Sequence, residues 1–573
     1  MTRTFGGTVM LLAAGAYLAA FYLLPIGDVL WRSFGNGGEA YAAVLSSPAT
    51  LRVLTHTVFF AFEVTLFSLA LGLPIAYIAW QSPPSRAALI LLIASLPLWT
   101  SLLVRTFAWQ GILGRGGVLA WMLSDLFGMS DVPRMSNNSF GALVGSVYVM
   151  VPYMVMALYA SFRSIDARLF SAARTLGSGR TQAFVGVFLP LATPGISSGC
   201  LLVFILSVGF FVPPALLGGP QDQTVAMLIA QRVNVRGNFE EAAALSVLLL
   251  ATIFAILGLM AGLPPLLRRL FREPGEQAGR SFAADAAAWL TPLRPLLRPL
   301  ESRLLWQIMV VVVLAVLLLP FVVIVPLAFS AASYIQLPVR EWSLRWFEQV
   351  ADSRLWLEAA GNSILIAVVA ASIAVLVGVA AAIGLRGRGA SSARVLFALF
   401  MAPAILPVIV YAIGAFFLAA RASLVDTRTG LMIAHSVLGL PFVLITVSTA
   451  LATMPSNLEG AARTLGAGPP QVLARITLPL VTPAIVTGAI MAFLASFDEV
   501  VVALFLSGVT SRTLPKELWQ ASTLQVSPVI MAVGLYIVAF MLLVAAASWV
   551  LRAALERRHA VPPTRLRKGA VEA

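Results

Sequence analysis

The sequence predicts an all-α polytopic membrane protein with about 12 transmembrane helices, arranged as two parallel six-span repeats. Of the 573 residues, 60% are hydrophobic and only 11% are charged, whereas soluble domains contain about 45–50% apolar and about 25% charged residues. Long apolar runs recur along the chain. One segment also occurs twice: residues 172–194 and 461–483 align without a gap and agree at about 13 of 23 positions. Repetition at a fixed spacing indicates internal duplication.

Each side of a central polar break contains six apolar runs of about 20 residues or more, the length that a membrane span needs. The predicted spans are 8–30, 58–80, 87–109, 142–162, 191–217 and 242–263 in the first half, and 305–329, 359–384, 395–419, 431–451, 480–506 and 529–551 in the second. The predicted units are a first half at 1–264, a basic linker at 265–304, a second half at 305–556 and a basic tail at 557–573. Prolines inside the spans predict kinks that neighbouring helices must satisfy; they include Pro97, Pro152, Pro213 and Pro407.

Arginine placement predicts the orientation of the chain. Arginines recur in the loops at 163–190 and 455–479, in the linker and in the tail, and basic residues concentrate on the cytoplasmic side of a membrane. Both termini and both repeated segments are therefore expected in the cytoplasm. Because six spans return the chain to its starting side, an axis along the membrane normal should relate the halves. The net charge of +14 could suggest nucleic acid as a partner, but the placement of the arginines between apolar runs favours the lipid bilayer.

Each repeated segment reads as a short Ala-rich helix that ends at a glycine, followed by a turn and a second helix that runs into Leu-Pro. This pattern resembles the cytoplasmic loop of bacterial ABC-importer permeases, which is Glu-Ala-Ala, three residues, Gly, nine residues, Ile, one residue, Leu-Pro. The matching positions are Ala172, Ala173, Gly177, Val187, Leu189 and Pro190 in the first copy, and Ala461, Ala462, Gly466, Ile476, Leu478 and Pro479 in the second. The motif's glutamate is replaced by Ser171 and by Gly460, with Glu459 one position early.

The resemblance implies partners. In that family the short helix of the loop docks in a groove of the ATPase subunit, a form of helix-in-groove recognition. An ATP-binding cassette ATPase dimer on the cytoplasmic side, a periplasmic substrate-binding protein and a small-molecule substrate are thus expected. The expected ATPase-docking residues are Ala172, Ala173, Gly177, Ala461, Ala462 and Gly466. The alternative is a repeated amphipathic connector with no partner.

The sequence contains no phosphate-binding loop of the form Gly-x-x-x-x-Gly-Lys-Ser/Thr. We therefore expect a transport subunit without ATPase activity, whose partner binds ATP and Mg. The lone Cys200 and the three widely spaced histidines indicate no metal site. No cofactor and no catalytic residue is expected in this chain.

Ionisable residues within membrane spans are costly and often functional, and they give the best indication of the cargo. Asp498 and Glu499 adjoin Phe497 in the fifth span of the second half. Carboxylates beside an aromatic ring suit an organic ammonium, through Coulomb attraction and cation–π contact. Glu63 in the second span is a further candidate. Equally open is that Asp498 or Glu499 pairs with an arginine or caps a broken helix.

Arg105 and Trp109 lie at the predicted outer end of the third span. Arg105 is a candidate partner for the carboxylates, and both residues are candidates for the substrate path. The alternatives are that Arg105 extends to the membrane interface and that Trp109 is an ordinary interfacial aromatic.

Three further stretches narrow the resemblance. Residues 97–109 and 209–220 look like the first permease subunit of spermidine/putrescine importers, and residues 496–508 are similar to the second. The chain thus resembles the two subunits fused, which implies a polyamine as cargo. Related permeases carry ferric iron, aminophosphonates or opines, and these stay alternatives.

The resemblance implies an inner-membrane permease that opens alternately to each side as the ATPase dimer closes and resets. The outer loops at 32–52, 114–139 and 218–241 are candidate landing surfaces for the binding protein. The rival from another class is a secondary transporter of the major-facilitator kind. That class would need a charged Gly/Asp/Arg loop between spans two and three, which residues 81–86 lack.

Overall fold

The computed structural model describes residues 5–177, 179–270, 303–386, 388–455, 457–524 and 527–559. Within these ranges the chain folds almost entirely into helices, as the composition predicted. Most of the predicted linker and the end of the predicted tail lie outside the described residues. The helices of the first half are α1 Phe5–Leu18, α2 Leu24–Ser33, α3 Glu39–Ser46, α4 Pro48–Gln81, α5 Pro84–Ser95, α6 Leu102–Leu113, α7 Val118–Trp121, α8 Ser139–Phe162, α9 Ala167–Thr175, α10 Arg180–Ala183, α11 Leu189–Val208, α12 Val212–Leu217, α13 Val225–Asn234 and α14 Phe239–Leu270.

The second half follows a similar order with fewer helices among the described residues. Its helices are α15 Arg303–Ala328, α16 Arg345–Asp352, α17 Arg354–Leu385, α18 Ala390–Ile405, α19 Val408–Arg421, α20 Arg428–Thr453, α21 Asn457–Thr464, α22 Pro469–Val472, α23 Leu478–Phe497, α24 Val501–Leu506, α25 Leu514–Leu524 and α26 Pro528–His559. Short π-helical segments, Phe184–Phe188 and Leu473–Thr477, join the repeated loops to α11 and α23 at matching places.

The described residues contain ten helices that are long and apolar enough to cross a membrane, or up to twelve if each of two bent helix pairs counts as one span. The two bent pairs lie where the sequence predicted the third span of each half. This agrees with the prediction of about 12 transmembrane helices in two six-span repeats.

The third span of each half is not one continuous helix. In the first half, Pro84–Trp99 and Leu102–Asp125 meet at 98°, and in the second, Ala390–Ile405 and Val408–Arg421 meet at 93°. The second break contains Pro407, and the first follows directly after the 3₁₀ turn Leu96–Trp99, which contains Pro97. Proline disfavours a continuous helix at these places, because it donates no backbone hydrogen bond and its ring clashes with the preceding turn. Pro152, by contrast, lies inside the continuous helix α8.

The fifth span of each half is also interrupted, at Gly209–Phe211 between α11 and α12 and at Asp498–Val500 between α23 and α24. Each interruption packs against the broken third span of the other half. A β-carbon built on Gly209 would lie 3.0 Å from the β-carbon of Pro407. On the opposite side, Asp498 contacts the start of α6. The four breaks thus meet in two pairs between the halves.

The first helix of each half also packs on the other half. Helix α1 lies along α17, and α15 packs against α6 and α4. Small residues allow this close approach, as is typical of membrane helices. A β-carbon on Gly384 would lie 2.5 Å from the β-carbon of Leu11, and one on Gly414 would lie 2.6 Å from the carbonyl oxygen of Pro25. The two halves therefore form one interlocked helical body.

Candidate functional site

The two repeated loops have the same local structure. Helix α9 begins after Asp166, whose carboxylate accepts a hydrogen bond from the Arg168 N–H at 2.9 Å. It is followed by Gly177 at φ +90°, and α21 is followed by Gly466 at φ +87°. Glycine adopts this left-handed conformation without steric cost, and it ends a helix sharply. The predicted helix–turn–helix of the repeated segment is therefore present in both halves.

Both loops present an exposed leucine at the end of the short helix. Leu176 is 86% exposed and Leu465 is 88% exposed. Ala172 and Ala461 are also exposed one turn earlier, whereas Ala462 is buried. An exposed apolar side chain on a short helix suits insertion into a groove of another protein. The predicted docking residues thus lie on two equivalent surface helices, although Ala462 faces inward.

Asp498 links the two halves. It follows the last residue of α23, and its Oδ2 accepts a hydrogen bond from the Leu102 N–H at 2.9 Å. Leu102 is the first residue of α6, and the preceding Ser101 makes no side-chain cap. A carboxylate at a helix N-terminus satisfies a free N–H and interacts favourably with the helix dipole. Asp498 Oδ1 is buried, and the Ser101 side chain also interacts with this carboxylate.

Glu499 caps its own chain. Its Oε1 accepts a hydrogen bond from the Val502 N–H at 3.0 Å, in the first turn of α24. Its electrostatic neighbours include Tyr411 on α19. Tyr411 lies 5.5 Å, centroid to centroid, from Tyr22 of the first half. Of the alternatives that the sequence left open, helix capping is what both carboxylates do in this structure.

Arg105 is buried, with 6% of its surface exposed. Its Nε donates to the Ser101 carbonyl at 3.2 Å, while one terminal guanidinium nitrogen has no hydrogen-bond partner among the described residues. It interacts electrostatically with Asp498, but no ion pair within 4.0 Å joins the two in the described part of the chain. A guanidinium nitrogen without a hydrogen-bond partner among the described residues therefore lies in the same region as the Asp498 carboxylate.

Trp109 and Tyr148 pack edge to face beside Arg105, with ring centroids 5.5 Å apart. Trp109 is buried, and its Nε1 has no hydrogen-bond partner among the described residues. Tyr153, in the middle of α8, is 38% exposed and interacts electrostatically with both Arg105 and Asp498. The sequence analysis did not predict a role for Tyr153. The only indication in the sequence is a tyrosine hydroxyl within an otherwise apolar span.

Two of the predicted path residues lie elsewhere. Phe497 is buried in an aromatic cluster of the second half, 5.9 Å from Phe493 and 5.1 Å from Phe540. Glu63 is on an exposed face of α4, where Phe59 and Phe62 are also exposed. Asp498 and Glu499 lie in the break that follows Phe497, and Arg105 and Trp109 lie on α6, which begins at the paired break of the first half.

One family of known proteins matches both halves of the chain. The model of the family described as "binding-protein-dependent transport system inner membrane component" matches residues 40–269 and 374–560. The chain belongs to this family. It is a multi-pass permease subunit of an ABC importer in the bacterial inner membrane, and it contains the permease domain twice. Membership implies ATPase and substrate-binding partners, and it decides against the major-facilitator alternative.

Several curated permeases are each similar to somewhat less than half of the chain. The spermidine/putrescine permease protein PotB of Haemophilus influenzae is 32% identical over 242 residues, 40% of this chain and 85% of the relative. PotB of Escherichia coli is 32% identical over 264 residues, covering 44% and 94%. PotC of H. influenzae is 34% identical over 228 residues, covering 39% and 86%. Together with the duplicated domain, these lengths agree with two permease subunits fused in one chain.

Among solved structures, a bacterial alginate ABC transporter in complex with an alginate pentasaccharide-bound periplasmic protein aligns with 44% of this permease and 91% of its own chain. The sequence identity is 17% and the TM-score is 0.37.

Proposed function

We propose that this permease forms the translocation path for a polyamine such as putrescine or spermidine, between a periplasmic binding protein and a cytoplasmic ATPase dimer. Both termini and both repeated loops would lie on the cytoplasmic side. The boundaries at 264/265, 304/305 and 556/557 would separate the halves, the linker and the tail. ATP and Mg would be bound by the ATPase, with no cofactor in this chain.

The observation that carries this proposal is the pair of carboxylates at the break of the fifth span. A polyamine has ammonium groups at both ends, and each carboxylate lies near a tyrosine of a different half. Asp498 lies near Tyr153 of the first half, and Glu499 lies near Tyr411 of the second. Carboxylates and aromatic rings both attract ammonium groups. The likeness to PotB and PotC supports the same cargo.

Alternating access would depend on the paired breaks of the third and fifth spans. ATP-driven closure of the ATPase dimer would displace α9 and α21, which precede the fifth spans. That rigid-body motion would open the path outward, and resetting would open it inward. Transport by the purified permease without an ATPase would refute this mechanism.

The deciding experiment measures ATP hydrolysis by the reconstituted permease, ATPase and binding protein against a cargo panel. The panel contains putrescine, spermidine, ferric iron, an aminophosphonate and an opine. We expect polyamines alone to stimulate hydrolysis. Stimulation only by a metal or an anionic cargo would overturn the polyamine assignment and leave the carboxylates with their capping roles.

Asp498→Asn and Glu499→Gln separate charge from capping, because an amide oxygen still accepts a backbone hydrogen bond. We expect each variant to assemble and to lower polyamine uptake about tenfold or more, since a hydrogen bond to a charged group contributes about 1.5–3 kcal/mol. Unchanged uptake kinetics in both variants would exclude the carboxylates from cargo binding.

A further inference from the structure

The two repeated loops are attached to the membrane helices by different chemistry. In the second half, Glu459 on α21 lies between two other elements. The Arg386 guanidinium donates to its Oε1 at 2.5 Å, and the Thr477 hydroxyl donates to the same oxygen at 2.9 Å. Arg386 directly follows the second span α17, and Thr477 ends the π-helical segment that leads into the fifth span α23. One carboxylate thus joins the short helix to two spans.

The first half fills the same place with aromatic rings. At the repeat spacing, Phe170 corresponds to Glu459, and Phe188 corresponds to Thr477. Phe170 packs edge to face on Trp80 at 6.3 Å, and Trp80 packs on Phe188 at 4.9 Å. Trp80 lies at the end of α4, the second span of the first half. In both halves the contact joins the short helix of the loop to the second span and to the start of the fifth span. Aromatic packing makes this connection in the first half, and an ion pair with a hydrogen bond makes it in the second.

The Glu459 carboxylate is bound by its own chain and is only partly exposed. Its side chain is 22% exposed, against 32% for Arg386. The position that the family pattern assigns to glutamate is Gly460, which is exposed and has no atom within 4 Å of where a β-carbon would be. The exposed face of α21 thus has no carboxylate at position 460, while the carboxylate of the neighbouring Glu459 binds residues of its own chain.

We propose that Glu459 is a positioning residue that transmits movement of α21 to the second and fifth spans of the second half, and that it does not take part in holding the ATPase. The fifth span runs from this contact to the break at Asp498, so the link extends from the loop to the candidate path. Phe170 has the corresponding role in the first half through aromatic packing. This inference rests on the proposed function, because it requires a partner that moves α21.

The test compares Glu459→Gln with wild type in the reconstituted complex, measuring ATPase affinity and the amount of cargo moved per ATP hydrolysed. We expect unchanged affinity and a fall in cargo per ATP of about threefold or more, the effect of losing a partly exposed ion pair. Arg386→Gln should have the same effect, and the charge exchange Glu459→Arg with Arg386→Glu should restore part of the loss. Arg394→Gln is the matched control, because Arg394 is an exposed arginine on the next helix that bonds only its own backbone carbonyl at Ala390 among the described contacts.

Ionic strength tests whether the charge of this pair is what couples the loop to transport. Salt screens a partly exposed ion pair, so cargo per ATP should fall with salt in wild type and less steeply in Glu459→Gln. Equal coupling in wild type and Glu459→Gln, or a loss of ATPase affinity or of assembly in that variant, would overturn the inference. A wild-type permease that neither binds an ATPase nor transports with one would instead refute the proposed function.

Discussion

Replacing Asp426 by alanine should loosen the loop at 507–511 while leaving the surrounding helices folded. Asp426 lies between α19 and α20, outside the membrane-spanning helices, and its carboxylate collects hydrogen bonds from that loop. The N–H groups of Gly508, Val509, Thr510 and Ser511 donate to it at 2.8–3.2 Å, and the Ser511 hydroxyl donates at 2.9 Å. The backbone bond from the Asp426 N–H to the Leu506 carbonyl does not involve the side chain and should persist.

The size of the effect follows from the pKa of Asp426. Partial burial acts to raise this pKa, but the hydrogen bonds from Thr510 and Ser511 outweigh it and lower the pKa from 3.8 to about 2. That difference corresponds to about 2.4 kcal/mol before screening. Because the carboxylate is partly exposed, solvent reduces this to about 1 kcal/mol. The stabilisation is present above pH 4 or so and is lost as the pH falls from about 4 to about 2, since the folded-state pKa is depressed.

Hydrogen exchange of the amides at 508–511 measures this loop directly. In Asp426→Ala we expect these amides to exchange about fivefold faster at neutral pH, the equivalent of about 1 kcal/mol. In the wild type, after correction for intrinsic rates, their protection should be constant above about pH 4 and decline below it. Asp352→Ala, which removes an exposed carboxylate at the end of α16, is the control. Unchanged protection in Asp426→Ala, or equal loosening in the control, would refute the reasoning.

Leu176→Asp or Leu465→Asp should each weaken ATPase binding about 30-fold, the usual effect of losing a buried apolar anchor; unchanged affinity in a binding assay would exclude these leucines from the interface. Gly488→Ala should lower stability by about 1–3 kcal/mol, because its β-carbon would lie 2.5 Å from the Thr446 hydroxyl and 2.9 Å from a backbone atom of α20. Thermal unfolding in detergent measures this, and Gly258→Ala, whose β-carbon meets nothing within 4 Å, should not destabilise; equal melting temperatures for both variants would contradict the packing argument.

The features that follow from composition and repetition were predictable from the sequence. Apolar run length predicted the spans, and the repeated segment predicted both surface helices, because these properties depend on local residues alone. Proline predicted the break near Pro97 and the break at Pro407 but not the continuity at Pro152, where α8 continues through the proline within a packed bundle. Local sequence therefore indicates where a helix is able to bend, and tertiary packing decides whether it does.

The chemistry of the candidate site depended on contacts between distant residues. The capping of α6 by Asp498 joins positions 396 residues apart, and no local pattern indicates it. The partners of Glu459 are 73 and 18 residues away, so its shift by one position from the family pattern became interpretable only in the structure. The burial of Arg105 was likewise undetermined, because an arginine near the predicted end of a span has the same local sequence whether it faces lipid headgroups or another helix.

The pairing of broken helices between the halves has a consequence for how such a permease evolves. Glycine occupies one interruption of the fifth span and aspartate the other, at positions separated by the repeat spacing. In a complex of two identical subunits a single codon determines both positions, so a substitution that improves one contact alters the other as well. In a fused chain, each position mutates separately while the ratio of the halves stays one to one. Two halves joined in one chain can therefore keep a symmetric arrangement of helices while the residues at the two interruptions differ.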